Sequence, residues 1–263
     1  EILVLKEILI TGDEDEETLS QIESEAKLLA QMNSNYIIKY YDSFNLGKTV
    51  NIITEYCENG DLDAYIKMHL RDKKRISEKV IWKFFIQISL GLYYLHSNNI
   101  LHRDIKSKNI FLTKTNDCKI GDLGIAKKLF NTQHAHTFIG TPYYLSPELC
   151  KDLPYDEKSD VWALGCILYE MAALCHPFDS TSQLGLYSKI INEDYEEIDN
   201  VYSPQLKKMI ALMLSKDSAK RPKMKQIVKM KFFISLADQL HINIGSDKDL
   251  TIRISNARIE NAN

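Results

Sequence analysis

The chain has 263 residues, 44% of them hydrophobic and 26% charged, with a formal net charge of −3. That balance permits a large buried core, argues against a disordered or fibrous protein, and lacks the basic excess expected where nucleic acid is the main partner. The five cysteines are odd in number and form no CxxC pair, so reduced thiols are a simpler reading than a disulfide framework or a thiolate metal site. The apolar runs 81–95 and 161–174 are too short and too often interrupted to span a bilayer. No secretory signal opens the chain, and its start at Glu1 rather than Met suggests a fragment of a longer protein.

Residues 2–10 (ILVLKEILI) predict a buried strand with one lysine in it. An acidic turn, 11–18, follows, most simply a solvated one. Residues 19–32 place Leu19, Ile22, Ala26 and Leu29 at helical spacing. Two short strands, 37–44 and 50–56, are joined by the hairpin-like NLGK, and ENGDL (58–62) reads as a link. Beyond it the pattern predicts helices over 62–69, 77–97, 158–174, 182–192, 204–214 and 222–239. The fold class expected is α+β: a small β-rich lobe over 1–57, a larger helical lobe over 58–240, and a polar tail, 241–263, that carries little signal.

Five polar groups stand at separated positions. In LHRDIKSKNIFL (101–112), Asp104 and Asn109 lie between apolar flanks; GDLG (121–124) sets Asp122 between two glycines; Lys6 sits in the first strand and Glu25 on the first helix. Phosphoryl transfer asks for this kind of set. It needs positioned positive charge around the phosphates and an acceptor for the nucleophile's proton. One carboxylate and one amide oxygen suffice for Mg²⁺, which keeps few protein ligands and binds phosphate oxygens as well. A second carboxylate can accept a hydroxyl proton, and an ammonium held by a helix carboxylate can grip phosphates.

The motifs HRDIKSKN, GDLG, GTPYYLSPE and SDVWALGC resemble those of the eukaryotic protein kinases, in order from about Leu3 to about Phe233. The wording NIFLT, DLG in place of the usual DFG, and GTPYYLSPEL are similar to the NIMA-related (Nek) Ser/Thr kinases. The resemblance implies a bilobal kinase fold that uses ATP and Mg²⁺ or Mn²⁺ to phosphorylate Ser/Thr hydroxyls of protein substrates. It implies Asp104 as catalytic base, Lys106 steadying the transferred group, Asn109 and Asp122 as metal ligands, and Lys6 on the phosphates paired with Glu25. Glu23 is a rival partner, but Glu25 shares a helix face with Leu29. Thr54 takes the gatekeeper position ahead of hinge residues Glu55 to Cys57; Asp61 would meet ribose, and Phe111 the adenine. Asp160 would brace the catalytic loop, and Glu148 would pair with Arg221. His102 reads as a packed spine residue, stacked with Leu29, Tyr40 and Leu123. Ser/Thr specificity rests on Lys106 and Thr141.

Arg103, beside Asp104, implies regulation: phosphate on Thr137, added by an upstream kinase or in trans, would pair with it, with Thr132 a weaker candidate. Thr141 would contact Asp104 and Lys106. No membrane or nucleic-acid partner is expected. Microtubule-associated partners, and a cytoplasmic address at the cytoskeleton, centrosome or cilium, follow from the family analogy alone. The family's glycine-rich loop should precede Lys6 by about one hairpin, and these residues do not contain it. An upstream segment that supplies it is expected; the alternative is a kinase-fold scaffold or pseudokinase.

Overall fold

A computed structural model describes residues 2–9, 30, 32–47, 49–122 and 142–244. Three antiparallel strands, β1 (Leu3–Leu9), β2 (Tyr40–Leu46) and β3 (Thr49–Glu55), form one sheet in the order β1-β3-β2. The central strand β3 buries Val50 and Ile52, alternate residues on one face of a pleated strand. Lys6 is in register with Ile52, and Val4 with Thr54. The expectation of a buried first strand fails: Leu3, Val4, Leu5 and Leu9 are 42%, 38%, 52% and 62% exposed. The reason is position, since β1 is an edge strand with a single pairing neighbour among the described residues.

The link 56–61 leads to α1 (Leu62–Arg71), whose start is capped by Asp61: its carboxylate accepts the Ala64 N–H at 2.8 Å. The helical part is built around α2 (Glu78–Ser97) and α4 (Glu157–Ala173). Both bury residues on all sides; every residue from Ser159 to Ala172 is buried, which marks a helix at the centre of a core rather than on its surface. Asp156 and Ser159 close a reciprocal capping box that fixes where α4 begins. Between α2 and α4 lie the hairpin β4 (Ile110–Leu112) and β5 (Cys118–Ile120) and the short α3 (Pro147–Cys150). After α4 come α5 (Gln183–Asn192), α6 (Pro204–Met213), α7 (Met224–Ile227) and α8 (Lys231–Gln239). The single helix expected over 222–239 is two helices. Met230 is extended between them (φ −64°, ψ 132°), and the break lets Ile227, Val228 and Phe233 all reach the core. All five cysteines are free. No helix among the described residues is long and apolar enough to cross a membrane.

A buried ion pair locks α3 to the far end of the core. Arg221 donates two parallel bonds to Glu148, one from Nη1 to Oε1 at 2.8 Å and one from Nη2 to Oε2. The guanidinium also reaches the carbonyls of Ser215 (3.0 Å) and Lys158 (2.7 Å), and Ser159 Oγ donates to Glu148 at 2.8 Å. Burial pushes the Glu148 carboxyl up, but Arg221 more than offsets it and holds it below the usual range. Because each guanidinium nitrogen has an acceptor and the pair is buried, removing one partner strands a buried charge. Arg221→Ala is expected to cost roughly 3–5 kcal/mol, read from urea denaturation. With the Glu148 pKa depressed, the pair's stabilisation is present above the ordinary carboxylate range and is lost as pH falls below it.

Candidate active site

The mount of the 101–109 loop is Asp160, in the first turn of α4, its side chain fully buried. Oδ2 accepts the His102 N–H at 3.1 Å and His96 Nε2 at 2.8 Å; Oδ1 accepts the Arg103 N–H at 3.1 Å and the Tyr155 hydroxyl. Burial pushes this carboxyl up, but the bonds and charge of His96, with His102 and Tyr155, outweigh it and hold the group below its ordinary value. The two main-chain donors fix the loop through Arg103, which sits in the left-handed region at φ +66°. A non-glycine residue there costs of order 1–3 kcal/mol and persists only where its surroundings over-determine it.

His102 is buried and carries the constraint onward. Its Nδ1 accepts the Asp104 N–H at 3.2 Å, and its Nε2 donates to the Gly121 carbonyl at 3.0 Å. Burial lowers its pKa, which keeps the ring neutral, as one donor and one acceptor require. One imidazole thus ties Asp104 to the residue before Asp122.

Around Asp104 the side chains converge. Lys106 Nζ donates to Asp104 Oδ2 at 2.7 Å. Asn109 Nδ2 donates to the Asp104 carbonyl at 2.8 Å and to its Oδ2 at 3.1 Å. Both amide hydrogens of Asn109 are directed at Asp104, so its amide oxygen is the group left to face another ligand. The Asn109 carbonyl accepts the Gly121 N–H at 2.9 Å, which brings Asn109 and Asp122 side by side. Asp122 lies at φ +50° and pairs with Lys6, both side chains about half exposed. A carboxylate and an amide oxygen, adjacent and near an ammonium, are hard oxygen donors of the kind Mg²⁺ accepts alongside phosphate oxygens and water. The residues fit such an ion, although no group of three or more His, Cys, Asp or Glu able to hold a metal exists among the described residues.

The cleft floor follows from one glycine. A Cβ at Gly121 would lie 2.6 Å from a Phe111 ring carbon and 3.0 Å from Ile38 Cγ1, so Phe111 can lie against the backbone only because residue 121 has no side chain. The link to α1 is pinned to β4: Asn59 N–H donates to the Leu112 carbonyl at 3.0 Å, and Leu112 N–H to the Gly60 carbonyl at 2.8 Å. Glu55 accepts from Lys39 N–H at 3.1 Å and from Lys119 Nζ at 2.9 Å. Cys57 is buried, its thiol pushed up to about 11 by burial, and is inert by that measure. Thr54 is half-buried in the central strand opposite Val4 and Tyr40. Asp61 has one oxygen engaged in the α1 cap. Lys6, Asp104, Lys106, Asn109 and Asp122 are therefore joined in one network, with Phe111 and the link beside it. Glu25, Leu29, Leu123, Thr132, Thr137 and Thr141 lie outside the described residues; among those described, Lys6 pairs with Asp122.

A second buried polar group was not singled out by sequence reasoning. Glu170, late in α4, accepts from the Tyr144 hydroxyl at 2.6 Å and from Ser107 Oγ at 3.4 Å; Ser107 Oγ and Tyr144 Oη are 2.8 Å apart. His176 Nδ1 is 3.8 Å from Glu170, and the His176 ring stacks on Tyr143 at 3.9 Å between centroids. Burial pushes Glu170 up to about 7. The available signal was a lone glutamate in an apolar run two turns after Ala163. Tyr155 and His96, which complete the Asp160 set, carry no comparable mark.

Two outcomes follow. Asp160→Asn turns an acceptor towards N–H donors it cannot fully satisfy; it is expected to cost at least about 2 kcal/mol and to speed amide exchange at His102 and Arg103. Glu170 has a folded pKa raised from 4.5 to about 7, so its contribution is full below about pH 4.5 and is lost as pH rises through about 7. Wild type should lose roughly 2–3 kcal/mol over that interval by this route, and Glu170→Gln should flatten the dependence of melting temperature on pH.

The protein kinase domain family matches residues 1–233. Among curated proteins, serine/threonine-protein kinase Nek8 of Danio rerio is 39% identical over 94% of the chain, Nek4 of Mus musculus 43% over 80%, and Nek11 of Homo sapiens 39% over 100%. The chain spans 35%, 26% and 41% of those proteins' own lengths. With a kinase-domain match across most of its length, the chain belongs to the protein kinase family, and within it is similar to the Nek serine/threonine kinases.

Proposed function

We propose that this domain transfers the γ-phosphoryl group of ATP to Ser/Thr hydroxyls of proteins, with residues 1–57 over the nucleotide and 58–240 carrying the substrate. The observation that carries the reading is the linked set Asp104–Lys106–Asn109, joined through Gly121 to Asp122 and Lys6. Mg²⁺, when bound, would neutralise phosphate charge. Asn109 Oδ1 and the Asp122 carboxylate would hold it. Asp104, fixed by Asn109 and His102, orients the acceptor hydroxyl and takes its proton. Lys106 is already within reach of Asp104 and offers positive charge where the transferred group passes. Lys6 serves the phosphates; its salt bridge to Asp122 is half exposed and therefore weak, on the order of 0–1 kcal/mol. Thr54 and the link Glu55 to Cys57 border the base, Phe111 lies beneath it, and the second oxygen of Asp61 can reach a sugar hydroxyl.

A scaffold without activity could dispense with Lys6, Asp104, Asn109 and Asp122; all four are present. Regulation in this reading runs through Arg103, whose exposed guanidinium has no ion pair among the described residues. A phosphate on Thr137 would supply one.

Asp104→Asn should lower kcat for a generic Ser/Thr protein substrate by about 10²–10⁴-fold, the usual contribution of a general base, with an unchanged melting temperature. Undiminished turnover in that variant sinks the reading.

A further inference from the structure

The tail beyond α8 looks uninformative as sequence, yet its first residues are built into the core. After Gln239 the chain reverses at His241 (φ +54°), and the Ile242 N–H returns to the Ala237 carbonyl at 2.9 Å. Ile242 and Ile244 are 8% and 4% exposed. Two isoleucines buried in a four-residue segment outside any helix or strand hold that segment firmly, each removing apolar surface from water.

The segment meets residues 33–38, far away in sequence. The Tyr36 hydroxyl donates to the Asn243 carbonyl at 3.3 Å, and burial raises the Tyr36 pKa, so it stays a donor. The other end of Tyr36 belongs to the active site. Its carbonyl accepts the Ile120 N–H at 2.8 Å, and the Ile38 N–H returns to the Ile120 carbonyl at 2.8 Å. Ile37 and Ile120 form a parallel bridge, and Ile38 is one of the two side chains against Gly121. Asp122 comes next. The same stretch is pressed onto α2: a Cβ at Gly91 would lie 2.8 Å from the Tyr36 carbonyl oxygen, and Asn33 N–H donates to Tyr94 Oη at 3.0 Å.

We propose that residues 241–244 are a strap that holds segment 33–38 against β5, and that Tyr36 is thereby a positioning residue for Asp122. This rests on Asp122 as the metal carboxylate. The strap acts on the backbone ahead of Asp122, whose left-handed conformation (φ +50°) makes its direction sensitive to small shifts of Ile120 and Gly121. It also assigns a task within this domain to the start of the tail.

The test uses the full chain with Tyr36→Phe, the pair Ile242→Ala/Ile244→Ala, and the pair Ile242→Val/Ile244→Val. Amide exchange of residues 120–122 is the first readout, since it needs neither nucleotide nor activity. It should speed up about threefold in Tyr36→Phe and roughly tenfold in the alanine pair, while α4 amides keep their protection and the valine pair stays near wild type. The Mg²⁺ concentration for half-maximal turnover should rise in the same order. Unchanged exchange at 120–122 in the first two variants overturns the strap, as does equal acceleration in α4, which would mean plain destabilisation. Asp122→Asn separates the two readings: if it keeps full turnover, the metal assignment falls, while the exchange data still decide whether the strap exists.

Discussion

The structure turns on one buried carboxylate, Asp160. Taking it out of water is expensive, and the expense is offset by four donors, two of them the main-chain N–H groups of His102 and Arg103. Main-chain donors matter because they locate the loop itself rather than a side chain that could choose another rotamer. Arg103 is held at φ +66° by this grip, and with it the direction in which Asp104 leaves the loop. Since α4 is buried along nearly its whole length, the anchor cannot tilt without moving the core. A site on a loop thereby acquires the stiffness of a helix.

From Asp160 the constraint spreads by relays that each satisfy a polar group at both ends. His102 connects Asp104 to Gly121, and Asn109 connects Asp104 to Gly121 by a second route through its carbonyl. Ile120, one residue earlier, is clasped by Tyr36 and Ile38. The approach to Asp122 is therefore fixed from three directions: the 101–109 loop, β4 through the Phe111 ring, and segment 33–38. Glu170 does similar work on the other side of the loop, where Ser107 and Tyr144 meet. Asp160, Asp104 and Gly121 each bond to more than one neighbour, and a connected polar network of this kind rigidifies a single geometry.

What could be read in advance divides along physical lines. Helical segments with long apolar runs, 77–97 and 158–174, lie within one or two residues of α2 and α4, because burial on every side leaves an unmistakable pattern. The residues gathered around Asp104 were legible as types at fixed spacing, through motifs that put hard oxygen donors and ammonium groups in order. Strand burial at 2–10 was misread because apolar composition does not reveal whether a strand has a neighbour on each side. The helix break at Met230 was invisible because 222–239 keeps a helical rhythm across it, and only packing of Val228 and Phe233 demands the turn. His96 and Tyr36 act over long sequence separations and Tyr155 through its hydroxyl, and a single hydroxyl, carbonyl or ring nitrogen has no periodicity to detect. The tail was dismissed on composition, although two isoleucines suffice to dock four residues.

The ion pairs complete the division of labour. Glu148–Arg221 is almost fully buried, with side chains 10% and 0% exposed, whereas Lys6–Asp122 is exposed by 47% and 43%. The first cannot be broken without leaving an uncompensated charge in the core, a loss of roughly 3–5 kcal/mol. The second is solvated on both partners, worth on the order of 0–1 kcal/mol, and can be exchanged for other partners at little cost. Permanent pairing sits where helices must not move, and cheap pairing sits where, in the proposed reaction, phosphate and metal must insert between the same two groups. A site made of strong pairs throughout would be as rigid, but it would have to break one of them in every turnover. The weak Lys6–Asp122 contact keeps both groups charged, close and ready, and rigidity comes instead from the backbone beneath them.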